Sequence, residues 1–301
     1  MPIMNINGRP ADNGKEDILP KHSAWELIDA ILIINMDGST ARWKNISDNL
    51  DGLAPREKIH RISAVRSTSL PGYQEKPWFT QRTGKRAVTC AGAAGCALSH
   101  AKALRFAKGH SDWNIILVLE DDAQANRNEW QNLDGQLADF IQRDQKWELI
   151  YLSYNENPKW AGETHWSNIF HCSGVLGTAS MIIHRRMWDK LLEHLPDESS
   201  IWPWLAGNKA VDYWLKTQIT PFSEVYYISP APMHHPYGEI SEITGGLTAP
   251  PEQHAAVRIQ GKTWAQKYSK LNLCILRTKL TFERTIRLLR RRIWGFRGRR
   301  K

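Results

Sequence analysis

Apolar positions along the chain gather in short, nearly unbroken runs, separated by stretches in which they recur every three to four residues. Ala30 to Asn35 is one such run, Asn114 to Leu119 a second, and Leu149 to Ser153 and Thr178 to Ile183 are two more. Runs of this length, apolar throughout rather than alternating, predict strands buried on both faces. Lys58 to Val65 resembles a further strand. Between the strands, Ser39 to Leu50 predicts a helix. Ala97, Ala101 and Leu104 share one helical face that Gly109 is placed to end, and Trp130, Leu133, Leu137 and Ile141 form the inner stripe of another helix. Strands alternating with helices predict an α/β fold on a mostly parallel central sheet. The interval from Arg66 to Gly95, broken by Pro71, Gly72, Pro77, Gly84 and Gly92, predicts a loop and a candidate flexible lid. Residues 1–28 are polar and punctuated by prolines, which predicts a poorly ordered extension and ordered structure from Asp29 onward.

Composition narrows the classes. The 301 residues are 42% hydrophobic and 24% charged, which fits a globular protein and excludes a disordered or fibrous one. No apolar run approaches the roughly 18 residues of a spanning helix. The N-terminal stretch lacks the continuous hydrophobic segment of a secretory signal, so a cytoplasmic protein is expected. The four cysteines form no CxxC pair and no His/Cys cluster is apparent, which predicts free thiols rather than a disulfide framework or a structural zinc site.

The net charge of +9 changes meaning once it is located. Residues 270–301 hold 12 Lys/Arg and one acid, Glu283, leaving 28 basic against 30 acidic residues in the rest of the chain. In that tail Leu271, Ile275, Phe282, Ile286, Leu289, Ile293 and Phe296 fall within an arc roughly 80° wide at helical spacing, with the arginines mostly off it. This predicts a C-terminal basic amphipathic helix over 270–301, suited to the surface of an anionic membrane, with a helix docked on the protein's own body as the alternative. A nucleic-acid partner is not expected, because the basic excess is confined to the tail and carries no reading motif. The division expected is therefore an extension (1–28), one catalytic domain (29–269) and the tail.

The densest chemistry follows the run Ile115 to Leu119, where Glu120, Asp121 and Asp122 stand in succession. Unpaired carboxylates at the end of a buried strand are costly and repel one another, and a divalent cation relieves both penalties. Oxygen donors at the carboxyl end of a strand suit Mg²⁺ or Mn²⁺ beside phosphate, whereas the alternative is a helix N-terminus favouring acids.

Four segments in order, Ile31 to Trp43 (ILIINMDGSTARW), Arg61 to Val65 (RISAV), Gly95 to Leu104 (GCALSHAKAL) and Ile115 to Ala123 (IILVLEDDA), resemble glycosyltransferase family 25, whose lipooligosaccharide members transfer galactose from UDP-galactose. Leu149 to Ser153, Gly177 to Leu192, Ala210 to Leu215 and Ser241 to Ile243 extend the likeness, which departs from the family pattern at Ala93 and at Arg66-Ser67.

The resemblance implies a GT-A-like nucleotide-binding fold and an inverting, metal-dependent hexosyltransferase acting on a lipooligosaccharide or lipopolysaccharide acceptor, peripheral to the inner membrane. A protein or other glycan acceptor, or a catalytically silent membrane-surface adaptor on the same fold, are the alternatives. Asp122 would be the leading ligand of Mn²⁺ or Mg²⁺, with Glu120 and a late histidine, His235 or its neighbour His234, as further ligands. Glu120 and Asp121 would share the metal and the donor ribose. Asn35, Met36 and Asp37, with Ala64 and Val65, would line the UDP-sugar pocket, and Arg42 would either approach the diphosphate or cap its own helix. Ser99 and His100 match the family's donor-side motif, or else start a helix. Asp212 is the candidate base, with Glu239 and Glu242 in reserve. Of 14 tryptophans, one or two among Trp160, Trp166, Trp202, Trp204 and Trp214 are expected against the acceptor sugar, and Trp78 over the donor.

Overall fold

Every residue from Ala30 to Asn35 is buried, as a run without polar alternation requires of a strand covered on both faces. In the computed structural model, which describes residues 23–75, 85–235, 273–283 and 285–286, that strand lies inside an eight-stranded sheet. The elements, in chain order, are α1 (Ala24–Leu27), β1 (Ala30–Asn35), α2 (Thr40–Leu50), β2 (Ile59–Ser63), α3 (Lys85–Lys108), β3 (Ile115–Glu120), β4 (Gln124–Ala125) and α4 (Arg127–Arg143). There follow β5 (Leu149–Tyr151), β6 (Ala161–Glu163), β7 (Ile169–Cys172), β8 (Ser180–His184), α5 (Arg185–Leu192), α6 (Ile201–Asn208), α7 (Val211–Trp214), β9 (Val225–Ile228) and β10 (Met233–His234).

The strand order is β2-β1-β3-β8-β5-β9-β7-β6. β1 pairs in parallel with β2 and β3, and β5 with β9, while β8 runs against both β3 and β5, and β7 against both β9 and β6. Of the eight strands only β7 and β8 are therefore reversed. The fold is α/β on a mostly parallel sheet, and the carboxyl ends of β1, β2, β3, β5 and β9 open on one edge, where such sheets bind ligands. Ile116 and Val118 pack toward α3 and α5; Leu117 and Leu119 pack toward α1 and α4. Each such side chain contributes about 1.5–3 kcal/mol by leaving water, and a charged residue at any of them would break the layer.

Residues 1–22 of the expected extension lie outside the described residues, but its end is ordered ahead of Asp29: Ser23 caps α1, and Trp25 stacks on Trp130 with ring centroids 4.3 Å apart. The predicted loop to Gly95 is also too long, since α3 starts at Lys85 and runs through Gly92 and Gly95. Alanines at 91, 93, 94 and 97 supply helix propensity and pack in the core. Gly95 is there for close approach, because a Cβ at that position would stand 2.8 Å from the Val65 carbonyl oxygen. β6, β7 and β9 are not among the strands expected from pattern; they are three or four residues long, and β6 and β7 carry polar positions.

Past the acids, β4 and β10 form a small antiparallel ladder, Met233 opposite Ala125 and His234 opposite Gln124. His234 thus lies in this paired segment and His235 follows it directly. Among the described residues no helix is long and apolar enough to cross a membrane. The predicted C-terminal helix is described over 273–283 and 285–286; Leu271, Leu289, Ile293 and Phe296 lie outside the described residues. In it Leu273 and Leu280 are buried and Arg277 Nε donates to the Pro221 carbonyl at 2.5 Å, whereas Ile275 and Phe282 are 58% and 66% exposed.

Candidate active site

The three consecutive acids leave β3 in three directions. Glu120 turns under α3: its Oε1 accepts from Thr178 Oγ1 at 2.7 Å, lies 3.1 Å from His100 Nε2 and 3.8 Å from Cys96 Sγ. Burial alone would raise the Glu120 pKa, but His100 and Thr178 outweigh it and lower the value, holding the carboxylate ionised. Asp121 turns toward β1, where its Oδ2 accepts from Asn35 Nδ2 at 2.6 Å and its Oδ1 from Arg42 Nη1 at 3.0 Å. Its pKa is raised, burial prevailing over both partners.

Asp122 turns toward β10. Its Oδ1 is buried and has no hydrogen-bond partner, although His235 Nδ1 lies 3.3 Å away. At that distance the two form an ion pair. Burial pulls the His235 pKa down, and the Asp122 carboxylate beside it, with Glu120 behind, outweighs that and raises it. A buried carboxylate oxygen beside an imidazole nitrogen is a donor set that a divalent cation can take up. The β4–β10 ladder is what delivers His235 here, since it brings the chain back beside the residues that follow Asp122.

A cleft of about 310 Å³ opens over the acids, lined by Met36, Arg42, Ala64, Val65, Ser99 and His100. Arg42 neither caps its helix nor stands free, because it bridges Asp121 and, at 3.8 Å, Asp122. Asn35 sits behind the wall, where it joins Asp121 to Arg61, whose Nε donates to Asn35 Oδ1 at 2.9 Å. Asp37 is exposed and accepts from Ser63 Oγ at 2.9 Å, outside the cleft lining. Ser99 and His100 do not start a helix; they lie inside α3, where Ser99 Oγ accepts from the Val65 N–H at 2.8 Å and fixes that wall.

Asp212 opens α7 and is largely buried. Its Oδ1 accepts from the Tyr213 N–H at 2.6 Å. Burial raises the Asp212 pKa, and the negative charge of nearby Glu120 adds to the rise. Trp202 and Trp214 are core residues, while Trp160, Trp166 and Trp204 are half-buried. Glu239, Glu242 and Trp78 lie outside the described residues.

Sequence reasoning passed over Cys96. No His/Cys cluster was expected, yet Cys96 and His100 stand four residues apart on one helical face and meet Glu120. That spacing on a predicted helix is the signal that reveals it.

The profile of Glycosyltransferase family 25 (LPS biosynthesis protein) matches residues 28–199. No curated protein sequence matches. Among solved structures the chain is similar to A197 from STIV, at 13% identity and TM-score 0.37, covering 77% of this chain and 98% of that one. It is also similar to a glycosyltransferase involved in the glycosylation of the major capsid of PBCV-1, at 12% identity and TM-score 0.38, covering 71% and 94%. A third, mannose-1-phosphate geranyltransferase from Thermus thermophilus, stands at 12% identity and TM-score 0.31, covering 66% and 72%.

Proposed function

The chain belongs to glycosyltransferase family 25, and from that membership we propose that it transfers galactose from UDP-galactose to a lipooligosaccharide or lipopolysaccharide acceptor, with inversion at the anomeric carbon. The observation that carries the reading is the buried Asp122 Oδ1, which lacks a hydrogen bond and lies 3.3 Å from His235 Nδ1, on a residue that lines the cleft. Asp122 and His235 would hold Mn²⁺ or Mg²⁺, which when bound supplies positive charge against the donor's diphosphate. Asn35 and Arg42 keep Asp121 turned aside from that pair, and His100 with Thr178 keeps Glu120 ionised beneath it. Met36, Ala64 and Val65 offer the donor an apolar wall. Asp212 takes the proton of the acceptor hydroxyl as that oxygen attacks the anomeric carbon and UDP departs, a single displacement needing one base.

The tail supports a membrane-surface location for the acceptor. Its described helix docks on the body through Leu273, Leu280 and Arg277 and leaves the Ile275–Phe282 stripe to solvent. That stripe, with the basic residues that follow, suits the headgroup region of an anionic bilayer.

UDP binding followed by thermal shift, with and without Mn²⁺, tests the central point. A Mn²⁺-dependent rise in Tm with UDP is expected for the native chain, and its loss in Asp122→Ala. UDP binding that ignores both Mn²⁺ and Asp122 would overturn the assignment.

A further inference from the structure

The proposed mechanism uses Glu120 only as a fixed charge and leaves Cys96 without a role. Cys96 and His100 project from the same side of α3 onto the end of β3. Cys96 Sγ lies 3.8 Å and His100 Nε2 3.1 Å from the same Glu120 oxygen, and the three ligand atoms fall within 4.8 Å of one another. A tetrahedral ion with bonds of about 2.0 Å to nitrogen and oxygen and about 2.3 Å to sulfur needs ligand atoms about 3.3–3.6 Å apart. The two measured edges, 3.8 and 3.1 Å, straddle that range, and the third is no longer than 4.8 Å, so the three side chains close on an ion by small rotations.

We infer that Cys96, His100 and Glu120 form a site for a thiophilic divalent cation, Zn²⁺ above all, with its fourth position open to the cleft. The donor set chooses the ion: a thiolate and an imidazole favour Zn²⁺ or Co²⁺ over Mg²⁺ and Mn²⁺, and the Asp122–His235 pair, which offers no sulfur, is left to the harder ion. As the ion enters, the Cys96 thiol gives its proton to the solvent. His100 binds through its Nε2 lone pair, any proton there also leaving to the solvent, and Glu120 exchanges its contact with His100 for a bond to the metal. Thr178 Oγ1 continues to donate to that carboxylate and so orients it, as groups behind metal ligands commonly do. All three ligands line the cleft, two residues or more from Asp122 in sequence, so Zn²⁺ there competes with the sugar nucleotide and inhibits transfer. The inhibition rests on the donor reading of the cleft; the site itself does not.

Co²⁺ titration of the full-length, nucleotide-free protein, followed by absorption, tests it. The expected result is a sulfur-to-cobalt charge-transfer band saturating at one equivalent, displaced by Zn²⁺ and retained in Asp122→Ala. At least a tenfold loss of affinity is expected in Cys96→Ser and in His100→Gln, with circular dichroism melts to show that both fold. A Cys90→Ser/Cys274→Ser protein leaves the cluster untouched and should keep the band, so the result does not hang on the folding of the Cys96 variant. Absence of the band, its persistence in Cys96→Ser, or its loss in Cys90→Ser/Cys274→Ser overturns the site. A normal band with UDP-sugar turnover indifferent to Zn²⁺ overturns the inhibitory role alone. Failure of UDP to bind would remove the donor reading and leave the band unaffected.

Discussion

A carboxylate that must take a proton from a sugar hydroxyl gains from a raised affinity for protons, and burial beside Glu120 provides that at Asp212. The base works only when ionised, so the rate falls as pH drops through the raised value, placing the acid limb of kcat/KM above where an ordinary aspartate would put it. Asp212→Asn should lower kcat by about 10²–10⁴-fold and abolish that limb, with Mn²⁺-dependent UDP binding kept within a few-fold. A pH–rate profile of the two proteins decides, and an unchanged limb would remove Asp212 from the mechanism. The acidic triplet was legible because three carboxylates after a buried run are costly wherever the strand ends. Their separate fates were not, since Asn35 and Arg42, His100 and Thr178, and His235 reach them from five different places in the chain. Cys96 was obscured for a similar reason: its neighbours are one helical turn and twenty-odd residues away, and neither distance matches the close cysteine pairs usually sought.

Among elements, legibility followed burial with two exceptions: β2 was read although it is half-open, and β9, buried at all four positions, was missed. β1, β3, β5 and β8 are buried at nearly every position and read as unbroken apolar runs, whereas β6 and β7 sit at the far edge of the sheet with half-open faces. The start of α3 was lost to its glycines, and two glycines show how differently one residue type acts within helices. At Gly95 a methyl group would press on the Val65 backbone oxygen from 2.8 Å, and Val65 is also held by Ser99. In α4, Gly135 has nothing within 4 Å of a Cβ. Gly95→Ala should therefore cost about 1–3 kcal/mol and raise KM for the donor by displacing the cleft wall. Gly135→Ala should stabilise by about 0.5–1 kcal/mol and leave KM alone. Urea unfolding and donor KM for both variants make the comparison; equal effects would deny that α3 and the wall are packed to contact.

Over the whole molecule, charge and apolar surface separate into a near-neutral body and a basic tail, and the sequence pattern located that division but not which helical stripe meets the body. Two stripes existed in the tail, and the buried one, Leu273 and Leu280, is the sparser, with Arg277 between them donating to the Pro221 carbonyl. The richer stripe is left outward, at 58% exposure for Ile275 and 66% for Phe282. Since water already surrounds these two side chains, changing both to glutamate should leave Tm unaltered. Transfer of an isoleucine and a phenylalanine out of water is worth about 1.5–3 kcal/mol each, so Ile275→Glu/Phe282→Glu should weaken binding to phosphatidylglycerol vesicles by two orders of magnitude or more. Leu280→Glu, by contrast, should lower Tm, because it places a charge in the docked face. Vesicle sedimentation at fixed salt reads the first effect and thermal melts the second. Equal vesicle binding by the native and doubly substituted proteins would leave the tail's charge without the apolar contact that a lasting surface attachment needs.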